Sequence, residues 1–381
     1  MELETLLARI TDNTGIKDPY GASHLPIYQT ATFDLKKQSG DRIYDYSRTD
    51  NPTRNALEDI FAQAENAPGA VCTNTGLSAI ALLFDAVLDA GDTILVESDC
   101  YGGTYRLLNV LNDKYKVKVI FADLLNPGTI EELLSENNIK LVLCESPTNP
   151  GLKILDITAI SQLCRKYNTL FAVDNSLATF ASQRPIELGA DFSVFSTTKS
   201  ISGHGAVVSG AIAARDEKWV DRLRYYANAE GRTQSPFDSF LVSLGLSTLT
   251  CRMKAQEISA LAVAQYFLKR NDVLSVRFPG LESHPQYLLA KRQMKICPSM
   301  LTVDMADEAA AERLVNNTRL FGEKASFGTT DSRIEQPSKI SHHSYSDEDL
   351  KAIGITRCTL RLSIGLENTG DLISDIEHAL I

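Results

Sequence analysis

A short apolar run, Phe192-Ser193-Val194-Phe195, leads directly into Ser196-Thr197-Thr198-Lys199-Ser200, and Gly203-His204-Gly205 follows. A lysine at an arbitrary position is a solvated surface charge. This one stands where an apolar segment ends among hydroxyls that can donate to a phosphate. The nearby glycines let a backbone come close to a ligand. An amine held near a carbonyl cofactor can form a Schiff base with it. Asp174 closes a second apolar run, Phe171-Ala172-Val173. A carboxylate there can simply cap a turn. It can also pair with a pyridine nitrogen, keeping the ring protonated so that it accepts the electrons of a substrate carbanion. A lysine with such an acid is what a protein contributes to pyridoxal 5′-phosphate (PLP) chemistry. The third piece is Asn74-Thr75-Gly76-Leu77 at the start of a helical pattern. Free N–H groups and the helix dipole favour a phosphate there, although many helices begin with Thr-Gly.

These residues must be positioned by regular elements. Leu77, Ile80, Ala81, Phe84, Val87 and Leu88 recur at helical spacing before Gly91. Short apolar strands are expected at 93–97, 117–122, 141–144, 170–173 and 192–195. Helical patterns at 130–134 and 157–167 lie among them. Runs this short and this apolar are buried on both faces, and their alternation with helices predicts a mostly parallel, doubly wound α/β sheet. Such a sheet binds ligands at the carboxyl ends of its strands. That rule points to residues 98–101, 145–150, 174–175 and 196–199. From about Gly245 the texture changes to long helical patterns over 246–269, then short strands and helices. The last strand is expected at 360–364 and a final helix from Asp371. The division read from this is an N-terminal arm over 1–50, a large cofactor domain over 51–245 and a smaller α+β domain over 246–381.

Composition narrows the function. The chain has 381 residues, 44% hydrophobic and 23% charged, which suits an ordinary globular protein. A formal net charge of -10 argues against nucleic acid and gives no attraction to anionic lipid. No signal peptide or membrane span is read from the N-terminus or elsewhere. The seven cysteines form no Cys-x-x-Cys pair, so a reducing cytoplasm is expected, with neither disulfides nor zinc. His342–His343 is read as a polar loop pair rather than a metal site. There is neither a phosphate-binding Walker pattern nor a dinucleotide glycine fingerprint.

Several longer fragments follow one another in a fixed order. They include Pro26-Ile27-Tyr28-Gln29-Thr30-Ala31-Thr32-Phe33, Tyr46-Ser47-Arg48 with Asn51-Pro52-Thr53-Arg54, and Tyr101-Gly102-Gly103-Thr104-Tyr105. Glu145-Ser146-Pro147-Thr148-Asn149-Pro150, Val173-Asp174-Asn175, Gly280-Leu281 before Ser283-His284-Pro285, and Leu360-Arg361-Leu362-Ser363-Ile364-Gly365 complete the series. Nearly end to end, the chain resembles the Cys/Met-metabolism group of PLP enzymes: cystathionine γ-synthase, cystathionine γ-lyase, cystathionine β-lyase and methionine γ-lyase.

The resemblance implies PLP fold type I, the aspartate-aminotransferase-like architecture. By similarity Lys199 carries PLP and later moves protons at the substrate carbons, and Asp174 pairs with the ring nitrogen. Tyr101 stacks on the ring and helps deprotonate the incoming amine. Gly76, Leu77, Ser196 and Thr198 hold the phosphate. Tyr46 and Arg48 cross to the phosphate of a neighbouring subunit, which implies a homo-oligomer of at least two copies and points to a dimer of dimers. Arg361 grips the substrate carboxylate as a bidentate partner, with Asn149 and Ser326 beside it. Surface ion pairs for Arg48 and Arg361, and packed rings for Tyr46 and Tyr101, are the plainer readings of the same residues.

The reaction is less sharply defined. γ-Synthases and γ-lyases of this group usually carry glutamate before the serine matching Ser326, whereas this chain has Ala325. The 17–22 and 371–375 segments also resemble plant-type β-lyases. The expectation is therefore a carbon–sulfur lyase acting on an amino acid, with cystathionine β-lyase favoured and γ-synthase, γ-lyase or a specialised lyase on another Cβ- or Cγ-substituted amino acid as alternatives. Other positions depart from the group: Thr75 and Leu77 in Ser-Gly-Met, Ser200 for an aromatic, Gly205-Ala206 for Ser-Asp, 243–247 for Arg-Gly-Leu-Lys, and 328–333 for Gly-Gly-x-Glu-Ser-Leu. These departures also admit a PLP-binding protein without turnover. A nicotinamide-linked oxidoreductase is a distant third reading.

Overall fold

The computed structural model describes residues 1–16, 18, 20–38, 42–342 and 345–381, leaving aside the side chains of residues 347, 349 and 352. Lys17 and Pro19 of the early lyase-like segment, and His343 of the histidine pair, lie outside the described residues.

Seven strands form the larger sheet: β1 (Gly69–Thr73), β2 (Thr93–Glu97), β3 (Lys118–Ala122), β4 (Ile139–Glu145), β5 (Leu170–Asp174), β6 (Phe192–Phe195) and β7 (Gly210–Ala214). Their spatial order is β1-β7-β6-β5-β4-β2-β3, and only β7 runs antiparallel to its neighbours. Helices cover both faces, so β4, β5 and β6 carry the near-continuous apolar runs of a doubly buried parallel sheet. Ile94, Val96, Leu141, Leu143 and Ala172 pack into one apolar cluster. Leu95, Val142, Cys144, Phe171 and Val173, the alternate residues, pack into another.

A smaller sheet contains β8 (Val273–Arg277), β9 (Met300–Met305), β10 (Gly322–Glu323), β11 (Arg333–Glu335) and β12 (Thr359–Ser363), in the order β10-β11-β12-β9-β8. Leu360, Leu362 and Ile364 join Leu301, Val303 and Ile334 in a core against the helices Leu249–Phe267, Glu308–Asn317 and Thr369–Ala379. Each such fully buried side chain contributes about 1.5–3 kcal/mol. Because strand side chains alternate, this apolar anchoring turns Arg361 and Ser363 to the opposite face.

Two expectations change, while the helical texture expected over 246–269 is the helix Leu249–Phe267, which a further helix, Pro236–Leu246, precedes. The Gly245 carbonyl is taken by Arg252 Nη2 at 2.7 Å, and a Cβ on Gly245 would lie 2.1 Å from the Ser202 carbonyl oxygen, so the chain bends there against the loop after Lys199. The first ten residues, expected as part of an arm, form the helix Leu3–Ala8 and bury Leu3, Leu6, Leu7 and Ile10 in the core beside Leu57 and Phe61. His342, expected in a polar loop, is fully buried, its ring 5.2 Å from that of Tyr345. Among the described residues, no helix is long and apolar enough to cross a membrane, and no cluster of three or more His, Cys, Asp or Glu is disposed to hold a metal.

Candidate active site

The carboxyl ends of β2, β4, β5 and β6 open on one cavity of about 340 Å³, closed on its far side by the smaller sheet. Its lining includes Gly76, Leu77, Tyr101, Asn149, Asp174, Ser196, Thr198, Lys199, Ser326 and Arg361. The structure thus brings together ten of the twelve site residues expected from sequence. Tyr46 and Arg48 are not among the lining residues. Tyr46 is exposed, and Arg48 donates to Asn228 Oδ1 at 2.9 Å.

Lys199 follows β6 in a tight turn, its N–H donating to the Ser196 carbonyl at 3.1 Å. Its Nζ donates to Ser326 Oγ at 2.7 Å and lies 4.9 Å from the centre of the Phe327 ring. Burial, then the nearby Arg361 charge, pull the amine down from its ordinary 10.5 to about 8. Such an amine is neutral and nucleophilic far more often than a surface lysine. Asp174 ends β5. Both Ser176 donors, N–H at 3.0 Å and Oγ–H at 2.6 Å, fall on Oδ1. Oδ2 is the oxygen they leave for a cationic ring nitrogen. Burial raises the Asp174 carboxyl, opposed by those two hydrogen bonds and by Lys199.

The anion cradle is built by a cap and a missing side chain. Thr75 caps the helix Gly76–Val87 by accepting from Ser78 N–H at 2.8 Å, and Ala79 N–H takes the Thr75 carbonyl. The first-turn N–H groups of Gly76 and Leu77 are left over by that cap. A Cβ on Gly76 would stand 2.5 Å from Ser196 Cβ and 2.8 Å from its Oγ, so only glycine lets the helix start approach the hydroxyl. Thr198 accepts from Ser209 N–H at 2.8 Å, which locks the turn next to Lys199.

Tyr101 precedes the helix Gly102–Tyr115, and its backbone N–H donates to Glu145 Oε2 at 3.1 Å. A Cβ on Gly103 would fall 2.3 Å from the Tyr101 ring, so the Gly-Gly pair leaves room for the ring's position. Arg361 donates from Nη1 to Asn149 Oδ1 at 3.1 Å and from Nη2 to the Ser326 carbonyl at 2.8 Å, and it pairs with Glu335 at 3.0 Å. Those contacts leave Nε–H and the second Nη2 hydrogen for a carboxylate. Burial lowers the Arg361 pKa, opposed by Glu335.

Glu335, Ser176 and Phe327 had no assigned role in the sequence. Only the pairing of β11 with β12, which sets Glu335 opposite Arg361, reveals the first of them. Glu145 was within reach of the strand-end rule, since it closes β4. Burial and the charge of Asp174 raise its carboxyl well above the usual range.

A PLP molecule fits this donor set. There is an amine of depressed pKa, a buried carboxylate with one oxygen uncommitted, and a glycine-lined cradle of N–H and hydroxyl donors, all facing a cavity within the normal range for a small ligand. The Cys/Met metabolism PLP-dependent enzyme family model matches residues 4–381. The chain is 36% identical over 370 residues to a cystathionine beta-lyase of Neurospora crassa, covering 97% of this chain and 80% of that protein. It is 35% identical over 378 residues to an L-methionine gamma-lyase of Treponema denticola, covering 96% and 94%. Its fold is similar to the cystathionine gamma synthase of Xanthomonas oryzae pv. oryzae solved with aminoacrylate and cysteine, with a TM-score of 0.96, 38% identity, and coverage of 100% of this chain and 98% of that one.

Proposed function

We propose, from the premise that this chain belongs to the Cys/Met metabolism PLP-dependent enzymes, that it cleaves cystathionine by β-elimination, consuming water and releasing homocysteine, pyruvate and ammonia. Dependence on PLP and a place in sulfur amino-acid metabolism come with the family. The choice of reaction goes beyond the family. It is carried by one observation: beside Lys199 and Ser326 the cavity wall is Ala325 and Phe327, and Ala325 stands where the γ-synthases and γ-lyases that the chain resembles usually carry glutamate. Relatives named cystathionine beta-lyase support the same choice.

When bound, PLP supplies an electrophilic carbonyl and an electron-accepting ring that together make the substrate Cα–H acidic. In this reading Lys199 is the attachment point and the base. Its free amine would take the Cα proton of a bound substrate, and β-elimination requires no second deprotonation. γ-Elimination would need a further base step at Cβ. Arg361 holds the α-carboxylate, with its guanidinium oriented by Glu335, Asn149 and the Ser326 carbonyl. Asp174 keeps the ring nitrogen protonated, Tyr101 covers the ring, and Gly76, Leu77, Ser196 and Thr198 retain the phosphate.

Tyr46 and Arg48, which do not line this chain's own cavity, complete the phosphate site of a second copy in this reading, so the working unit is at least a dimer. The compartment proposed is the cytoplasm, which suits seven cysteines that are all unpaired.

The test is product identification. Borohydride should fix PLP on Lys199, and cystathionine should then yield pyruvate and homocysteine. A second reading is favoured by the likeness to the Xanthomonas synthase. α-Ketobutyrate with cysteine would move the protein to γ-lyase chemistry, and product only from an activated homoserine with cysteine would make it a γ-synthase. A spectral response to amino acids without any product would leave a binding protein.

A further inference from the structure

We infer that Arg333 is a positioning residue that straps the segment carrying Ser326 against the loop following Lys199, and so sets the geometry of both Lys199 and Arg361. The inference rests on reading the cavity as the PLP site. β11 and β12 pair with Arg333 opposite Ser363 and Glu335 opposite Arg361. Those four side chains therefore share one face, while Ile334 and Leu362 lie in the core on the other. Arg333 is thus on the cavity side of the small sheet, two residues along its strand from the counter-ion of Arg361.

From there its Nη1 donates to the Ala325 carbonyl at 2.8 Å, and its Nη2 pairs with Asp331 Oδ1 at 3.3 Å. The position a Cβ would take on Gly205 is 3.4 Å from Nη2, so the loop after Lys199 packs on the guanidinium. The Ala325 carbonyl belongs to the peptide plane that enters Ser326. Ser326 has φ 80, a left-handed conformation that a serine holds only with outside support. Fixing that plane while φ is held fixes the directions of the Cα–Cβ and Cα–C bonds of Ser326, from which its hydroxyl and carbonyl reach out. Its Oγ accepts from Lys199 and its carbonyl accepts from Arg361. One guanidinium thereby reaches both the Schiff-base lysine and the carboxylate-binding arginine through a single residue. A leucine at 333, the residue of the family pattern, has no donor for that carbonyl.

The test uses the full-length PLP-loaded protein and R333L, with R333M in its place if R333L fails to fold, and R333K as the conservative variant. Binding of L-alanine, which has nothing to eliminate, is followed through the visible absorbance of the cofactor, alongside kcat and KM for cystathionine. The expected result is alanine affinity weakened about tenfold or more, KM raised in step and kcat lowered severalfold as Lys199 loses its placement, with cofactor content unchanged. R333K, which keeps a donor, should recover most of the loss. A folded, fully loaded R333L or R333M that binds alanine within about twofold of the parent overturns the strap alone. A parent that takes no PLP on Lys199 overturns the site reading and the strap together.

Discussion

Lys199 Nζ and Ser326 Oγ meet at 2.7 Å, joining an amine that follows β6 of the large sheet to a hydroxyl that precedes β11 of the small one. The contact spans the cavity that Asp174 and Arg361 both line. Ser326 makes it from a left-handed backbone, which sets the direction of its Cα–Cβ bond.

Ser326→Ala should keep the yellow colour and lower kcat/KM about tenfold or more, since a hydrogen bond to a charged group contributes about 1.5–3 kcal/mol. Steady-state kinetics on the loaded variant measure it. Unchanged kinetics would mean that the contact is incidental to turnover.

Because the Lys199 amine is depressed to about 8, its neutral, nucleophilic fraction rises as pH climbs through that value. The rate of PLP uptake by cofactor-free protein should therefore rise from about pH 6.5, pass half its plateau near pH 8 and level off by about pH 9. A rate still climbing toward 10 would show an ordinary, solvated lysine. Lys199→Ala should retain no covalent cofactor and lose activity by a factor on the order of 10³ or more.

Arg361→Ala should do two separable things. It removes the grip on the carboxylate, and it strands Glu335, whose side chain is 1% exposed, without its cation. Stranding a buried charge costs about 3–5 kcal/mol, measurable by urea unfolding, and adding Glu335→Gln should return much of that stability without returning activity. Arg361→Lys keeps the charge but loses the planar fork, so KM should rise about tenfold or more while the fold stays intact.

Gly76→Ala places a methyl 2.5 Å from Ser196 Cβ. The cradle must open, and PLP affinity should fall about tenfold or more, read by equilibrium dialysis, with little change in circular dichroism. Wild-type affinity would show that the phosphate sits elsewhere.

If Tyr46 and Arg48 serve a neighbouring copy, inactive Lys199→Ala and weakened Arg48→Ala chains should recover activity when refolded together, because a mixed dimer holds one site with both residues intact. Activity no higher than the sum of the separate variants would place Arg48 in a structural role within its own chain, through Asn228.

What the sequence determined by itself was local. Apolar runs ending in Asp174 and Ser196 marked buried strands and the sheet edge where ligands bind, because burial on both faces requires unbroken apolar residues. Thr75-Gly76 marked a helix start, since hydroxyl caps and glycine are readable one turn at a time. Ordered fragments singled out Tyr101 and Arg361, and the hydroxyl-rich end of an apolar run singled out Lys199. Where local signals were ambiguous the reading slipped. A helical pattern does not reveal that Arg252 will capture the Gly245 carbonyl, and an adjacent histidine pair does not reveal that His342 will be buried. The tertiary structure alone decided which residues face one another. Glu335 becomes the partner of Arg361, and Arg333 a neighbour of Ala325, only because β11 pairs with β12 in one register and the apolar side of that small sheet must turn inward. Pairing across strands depends on register and on burial of the opposite face, which residues far apart in the chain settle together.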